Sequence, residues 1–300
     1  MTVQQRADLA TIRKQMLGEQ RKLRLLQIKS NYGLMIGAGI FLLLLLIALI
    51  GPLFAPYDPA EMKVVDRLKA PSSEHWFGTD EFGRDLLTRI IYGARVSIGV
   101  GLLVSLLSSL LGLVIGLYAS YYRALDHILM RICDGLYAIP GVLLAIALMA
   151  ALGASVTNVV IALTIVSTPS VARIVRSAAL SVRNLTYIEA MVVQGASSTR
   201  IIWRHIMPGT LSPLLVQASF VFAEAIISEA ALSFLGVGIP APDPSWGNIL
   251  QAGKLVISKA WWMIVCPGAL IVLSVLSLNL LGDGLRDYMD PRISGKGRKS

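Results

Sequence analysis

The residues able to do chemistry are few, and their spacing suits it poorly. His75, His127 and His205 lie far apart, and no HExxH pair is present to hold zinc. Cys133 and Cys266 sit in apolar stretches, without CxxC or Cys/His ligand spacing, and read as small buried residues. No GxSxG elbow presents a nucleophilic serine. The phosphate-cradling loop GxxxxGK followed by Ser or Thr is also missing: Leu255 follows Gly253-Lys254, and Gly297 follows Gly295-Lys296. What remains is two carboxylates, Glu224 and Glu229, the acidic residues of the apolar run 211–235. With no nucleophile paired to a base, the chain is not expected to be an enzyme or to hold a metal or cofactor.

The elements around those carboxylates follow from composition. The chain is 55% hydrophobic and 15% charged, against about a quarter charged in soluble domains. Its apolar residues lie in long runs separated by charged clusters, the pattern of an all-α membrane protein with several spans. Six transmembrane helices are expected. Span one covers about Tyr32–Phe54, with Pro52 and Pro56 marking its end, and span two about Val96–Ser120. The stretch Gly135–Ala172 carries no charge over 38 residues. One helix of that length overshoots a hydrocarbon core of about 30 Å, so Gly153–Asn158 is expected to break it into a hairpin, spans three and four. Span five covers about Leu211–Leu235. Span six covers about Trp261–Leu281 and opens on a pair of interfacial tryptophans, Trp261 and Trp262. The segment 55–95, with seven acidic and six basic residues, predicts a small structure outside the membrane.

The net charge of +9 is topological rather than a nucleic-acid footprint, because the basic residues flank apolar runs. Segments 1–31, 120–134, 173–208 and 282–300 hold 19 Lys and Arg, against 8 in the segments between them. The positive-inside rule therefore predicts both termini in the cytoplasm. Residues 1–31, basic with a weak apolar stripe, predict a solvated or lipid-surface helix. About thirty polar, basic residues precede an apolar run too long for a cleaved signal, and a retained anchor fits better.

In such a frame, a charge at membrane depth costs about 3 kcal/mol on insertion scales and usually faces a cavity or a partner. Both glutamates are candidate pathway residues. Glu229, close to Gly236, also fits an outer-interface carboxylate hydrogen-bonded to a neighbouring helix. Two small-xxx-small pairs, Gly33/Gly37 and Gly112/Gly116, permit close helix packing.

The segment 173–208 is the most informative. Arg173, Arg176 and Arg183 share one helical face past span four. Thr186 followed by Glu189 matches a capping box, so a short helix is expected to start there. Gly195 can end it in the left-handed conformation. Ser197 or Ser198 can cap a second short helix, which Pro208 is expected to close before span five. Such a pair of short helices is either a connector packed on its own bundle or a docking element for a cytoplasmic partner.

The run EAMVVQG, Glu189–Gly195, followed by HIMP, His205–Pro208, resembles the EAA loop of binding-protein-dependent ABC importer permeases. That pattern is Glu-Ala-Ala, three residues, Gly, about nine residues, then Ile-x-Leu-Pro. Glu189, Ala190 and Gly195 match; Met191 replaces the second Ala, Met207-Pro208 replaces Leu-Pro, and Ile206 sits one place off. Three further segments, Phe77–Ile98, Ser228–Gly247 and Asn279–Arg292, are similar to the C-type subunit of the dipeptide/oligopeptide/nickel branch. The resemblance implies a type I importer permease fold, with a transport domain over 94–283, an added first helix and external loop over 32–93, and tails over 1–31 and 284–300. It implies a heterodimer with a second permease subunit, two cytoplasmic ABC ATPases, an external solute-binding protein and a surround of membrane lipid. Thr186, Glu189, Ala190, Met191, Gly195, Ala196, Ile206 and Pro208 then belong to the ATPase-coupling loop. ATP hydrolysis falls to the partner chains, and the solute is expected to be a di- or oligopeptide, or a related small solute such as nickel. The alternative class is a gradient-driven secondary transporter or channel, which favours ionisable residues, broken helices at the midplane and internal repeats. No repeat is visible, and the deep acids fall in one span.

Overall fold

The computed structural model describes residues 31–289. The expected surface helix at the N-terminus and the chain beyond Met289 lie outside the described residues. Within them the fold is helical, with a single isolated β-bridge between Thr79 and Asp85. Five helices are long and apolar enough to cross a membrane. A sixth crossing requires two shorter helices taken together.

Helix α1, Tyr32–Phe54, is capped by Asn31, whose side chain accepts the Leu34 N–H at 3.0 Å. Helix α2, Leu86–Tyr121, starts ten residues before the expected span, because Asp85 caps it by accepting the Thr88 N–H at 2.8 Å. The extra turns carry Arg89, whose charge is met by Asp80 at 3.5 Å. The expected hairpin is broken twice. Helix α3, Arg123–Tyr137, and helix α4, Gly141–Leu152, meet at a bend of 92° across Ala138–Pro140. Pro140 has no N–H and disfavours helix at the residue before it, so the chain turns there. The expected continuous third span is therefore corrected to a bent pair. At 12 residues, α4 rises only about 18 Å. The second break falls where expected: Ser155 caps helix α5, Val156–Arg183.

Helix α6 covers Thr186–Val193 and helix α7 Ser198–Phe234, the latter containing a π-helical stretch at Ile202–Ile206. Helix α8, Trp246–Lys254, and helix α9, Trp262–Met289, complete the order. Helix α9 runs eight residues past the expected end. Of the two tryptophans at its start, Trp261 is exposed, whereas Trp262 is buried and donates its indole N–H to Thr79 O at 3.1 Å. Of the expected interfacial pair, one is thus an exposed ring and the other a packing residue.

The α2–α5 seam is the most extensive helix contact, with α7 and α9 closing around it and α1 packed on α9. The glycine pair on α2 makes this seam possible. A Cβ at Gly112 would come within 2.6 Å of Val171 Cβ, and one at Gly116 within 2.7 Å of Ala172 O. The pair is therefore consumed inside the chain, and Gly37 likewise meets α9 at Ser277 O and Leu280 Cβ.

The segment between α1 and α2 is the compact polar structure its composition predicted. Asp80 accepts the Phe82 and Arg84 N–H groups and the Arg84 Nε–H, the last at 2.6 Å. His75 Nδ1 lies 2.9 Å from Asp85 Oδ1. The Lys69 ammonium hydrogen-bonds Asp66 and holds its carboxyl below the usual carboxylate range.

Candidate functional site: a short-helix loop and a membrane-depth carboxylate

The first candidate site is the loop from α5 into α7. The three arginines of the α5 face that leads into it are engaged. Arg176 makes a two-point contact with Asp126, Nε to Oδ1 at 2.5 Å and a terminal nitrogen to Oδ2 at 2.6 Å. Arg173 donates to Asp134 at 2.8 Å, and Arg183 to the Ser120 carbonyl at 2.7 Å. The face that sequence showed as three arginines thus straps α3 and the end of α2 onto α5, and the paired geometry at Asp126 fixes orientation as well as proximity.

Helix α6 begins where expected, but not by the expected device. Leu185 occupies the cap position, Thr186 is the first helical residue, and no side-chain capping bond forms. The capping box of Thr186 and Glu189 is corrected: the backbone turn Ile188 N to Leu185 O, 2.9 Å, starts the helix one residue early. The end is as predicted. Gly195 has φ +78°. Its N–H reaches Val192 O at 3.0 Å and the Ala196 N–H reaches Met191 O at 3.1 Å. This pair of bonds is the Schellman arrangement, which satisfies the last carbonyls of the helix.

Pro208 does not close a second short helix, a further correction. The chain runs from Ser198 through the π-helical stretch directly into α7. Pro208 cannot donate to the Arg204 carbonyl, and a regular α-turn would drive its ring into that carbonyl. The wider turn, marked by the Met207 N–H reaching Ile202 O, accommodates the ring without ending the helix.

The loop is anchored and exposed at once. Ile188, Ile201, Ile202 and Ile206 are buried in the main core cluster beside Val175, Ala179 and Leu117, with Met191 and Ala196 packed against it. Thr186, Glu189, Ala190, Gly195 and Pro208 are exposed. Around Glu189 stand four outward-facing apolar side chains, Leu185, Tyr187, Val192 and Val193, with Val193 88% exposed. A rigid element showing an apolar face without a partner in its own chain has the character of an interaction surface.

The second candidate site is the carboxylate pair, and the structure separates its members. Glu229 is fully buried. It accepts the Ser97 Oγ–H from α2 and the Ser233 Oγ–H one turn on, both at 2.8 Å. Ser97 Oγ in turn accepts the Trp246 N–H at 3.2 Å, tying in α8. Its surroundings match a carboxylate hydrogen-bonded to a neighbouring helix. Glu224 is exposed and lines a cavity of about 300 Å³ beside the α3–α4 bend, with Tyr137, Pro140, Gly141, Ser167 and Ser170. Sequence reasoning missed this bend; the signal was the dipeptide Ile139-Pro140 inside an uncharged run. Among the described residues, no group of three or more His, Cys, Asp or Glu side chains is placed to hold a metal ion.

Helices long and apolar enough to cross a membrane, a bent helix pair and a structured loop between long helices define a polytopic helical membrane protein. The chain belongs to the family of binding-protein-dependent transport system inner membrane components, whose model matches residues 108–295. Residues 20–71 match the N-terminal transmembrane domain of oligopeptide transport permease C. A protein of Brucella suis biovar 1, provisionally named a peptide transport system permease, is 49% identical over 262 residues, 87% of this chain and 88% of that one. The dipeptide transport system permease DppC of Alkalihalophilus pseudofirmus is 45% identical over 268 residues, 89% of this chain and 88% of that one. The glutathione transport system permease GsiD of Pectobacterium atrosepticum is 44% identical, covering 86% and 87%. A chain of the inward-facing MetNI methionine ABC transporter has the same fold, with a TM-score of 0.57 at 18% identity over 67% of this chain and 97% of that one. The chain is therefore a multi-pass ABC importer permease, a transport subunit rather than an enzyme.

Proposed function

We propose that this chain forms half of the translocation pathway of an ATP-driven peptide importer, paired with a second, non-identical permease. Two cytoplasmic ATPases seat on the loop 186–208, and a solute-binding protein delivers cargo at the opposite face. Both termini are cytoplasmic, with the bent pair α3–α4 counted as one crossing, and the lipid-facing spans set the complex in the inner membrane. Residues 94–283 form the transport domain, 32–93 an added span and external loop, and 1–31 and 284–300 its tails. Di- or oligopeptides are the cargo class, supported by the names of the relatives.

One observation carries the coupling role: α6 is rooted in the core by Ile188 while Leu185, Tyr187, Val192 and Val193 face outward. An ATPase gripping that face moves α5 and α7 with it, because the loop is continuous with both. Glu189, Ala190 and Met191 lie on the gripped helix, Gly195 and Ala196 form its hinge, and Ile206 and Pro208 transmit the displacement into α7. The test is co-purification with the ATPases and uptake of tripeptide into vesicles bearing the assembled complex. Val193→Asp is expected to lose the ATPases and abolish uptake while the chain still inserts. Full uptake by Val193→Asp sinks the coupling role. The purified subunit alone is expected to show no ATP turnover.

A further inference from the structure

We propose that the cavity at the α3–α4 bend is a subsite for a primary ammonium group, such as the N-terminus of a passing peptide, with Glu224 as its counter-charge. This rests on reading the chain as a pathway subunit for peptides, and adds the chemical group recognised and the residue that recognises it.

The cavity, about 300 Å³, is at the small end of ligand pockets and suits one end of a peptide rather than a whole one. Glu224 is the sole formal charge among its lining residues. Two carboxylates of the same helix are treated in opposite ways. Glu229 is sealed from solvent and satisfied by serine hydroxyls of α2 and α7. Glu224 accepts no hydrogen bond and joins no ion pair among the described residues, and it opens onto the cavity. A carboxylate at membrane depth is costly unless something meets it.

The neighbouring cations are not free to do so. Arg173, over the Tyr137 ring at 4.4 Å, is bonded to Asp134, and Arg176 is held by Asp126. The bend itself adds little net charge. The C-terminus of α3 brings carbonyl ends and the N-terminus of α4 brings N–H ends to the same place, so their partial charges oppose. Glu224 therefore sets the sign of the cavity. Ser170 Oγ donates its proton to Ser167 O at 2.8 Å, which leaves the lone pairs of that hydroxyl for an incoming donor. An ammonium group brings three N–H donors. One carboxylate and one hydroxyl whose proton is already placed match two of them, with the third left for water.

The test uses the assembled complex, with Cys133 and Cys266 replaced by alanine and Ile139→Cys, a lining position with no polar role, as a reporter in the cavity. The thiol is exposed to a trimethylammonium methanethiosulfonate and to its sulfonate counterpart. With Glu224 present, the cationic reagent is expected to react at least tenfold faster than the anionic one, and Glu224→Gln is expected to collapse that ratio. Trialanine is expected to slow labelling and N-acetyl-trialanine to leave it unchanged. Protection by N-acetyl-lysyl-dialanine extends the subsite to any primary ammonium; its failure confines the subsite to the peptide terminus. A ratio unaffected by Glu224→Gln, or equal protection by N-acetyl-trialanine, overturns the proposal. Trialanine uptake by the wild-type complex separates the two levels. No uptake sinks the peptide reading itself, whereas equal uptake by wild type and Glu224→Gln sinks only the ammonium subsite.

Discussion

Ser97 and Glu229 lie 132 positions apart in sequence and 2.8 Å apart in space, the hydroxyl donating to the carboxylate in a fully buried setting. The same hydroxyl accepts the Trp246 N–H. One serine thus joins α2, α7 and the start of α8. Ser97→Ala removes a donor from a buried carboxylate and strands a buried backbone N–H. The expected loss is about 2 kcal/mol, since hydrogen bonds to charged groups and unsatisfied buried groups each run about 1–3 kcal/mol. A lowered melting temperature of the detergent-purified chain is the readout, and an unchanged one removes this hub from the account of stability.

Gly195 gives a cleaner separation of backbone from packing. A Cβ at this position would meet nothing within 4 Å, so substitution is opposed by the positive φ alone. Gly195→Asn, tolerant of the left-handed region, is expected to keep ATPase association and uptake. Gly195→Val is expected to lose both while inserting normally, because a β-branched residue resists that region, where even an unbranched one costs about 1–2 kcal/mol. Equal behaviour of the two variants contradicts a conformational role for this glycine.

Glu189 is exposed and makes no capping bond, which changes the expectation for Glu189→Lys. Only the favourable placement of an acid in the first turn is lost, about 0.3–1 kcal/mol. The melting temperature is expected to hold within a few degrees while association with the ATPases falls. A large drop in melting temperature with intact association assigns Glu189 to the fold instead.

The α2–α5 seam predicts a sharp contrast between two glycines of one helix. Gly116→Leu forces a side chain against the Ala172 carbonyl, a backbone atom that cannot step aside, at about 1–3 kcal/mol or more. Gly99 has nothing within 4 Å of an added Cβ, and Gly99→Ala is expected to be neutral or slightly stabilising. Membrane yield and melting temperature of the two variants check this. Equal yields contradict the seam.

Orientation is tested by two exposed positions on opposite sides of the proposed topology. In intact cells with a permeabilised outer membrane, and with the native cysteines replaced, Met62→Cys is expected to react with an impermeant thiol reagent. Arg123→Cys, exposed where α2 gives way to α3, is expected to react only after lysis. The reverse pattern inverts the topology.

The parts legible in the sequence are those set by local rules. An uncharged apolar run from Tyr32 to Phe54 forms its helix, and the Gly153–Ser155 break falls where a 38-residue run cannot stay whole. Gly195 adopts a conformation that glycine tolerates best. The capping box failed because Leu185 and Thr186 compete for one cap position, and that choice depends on how α5 ends. The Pro208 stop failed because a π-turn was available to absorb the proline, a backbone option that carries no residue signature of its own.

Composition, run lengths and flanking charge therefore determined by themselves that this is a polytopic helical membrane protein with a structured loop between its fourth and fifth crossings. Only the tertiary structure decided what each charged residue in or beside the spans is for. Glu224 and Glu229 share a helix and a chemistry, yet one faces a cavity and the other two serines, because Ser97 and Ser233 converge on position 229 and neither reaches 224. The partners of a buried polar group come from remote segments, and their convergence is a property of packing rather than of any stretch of sequence.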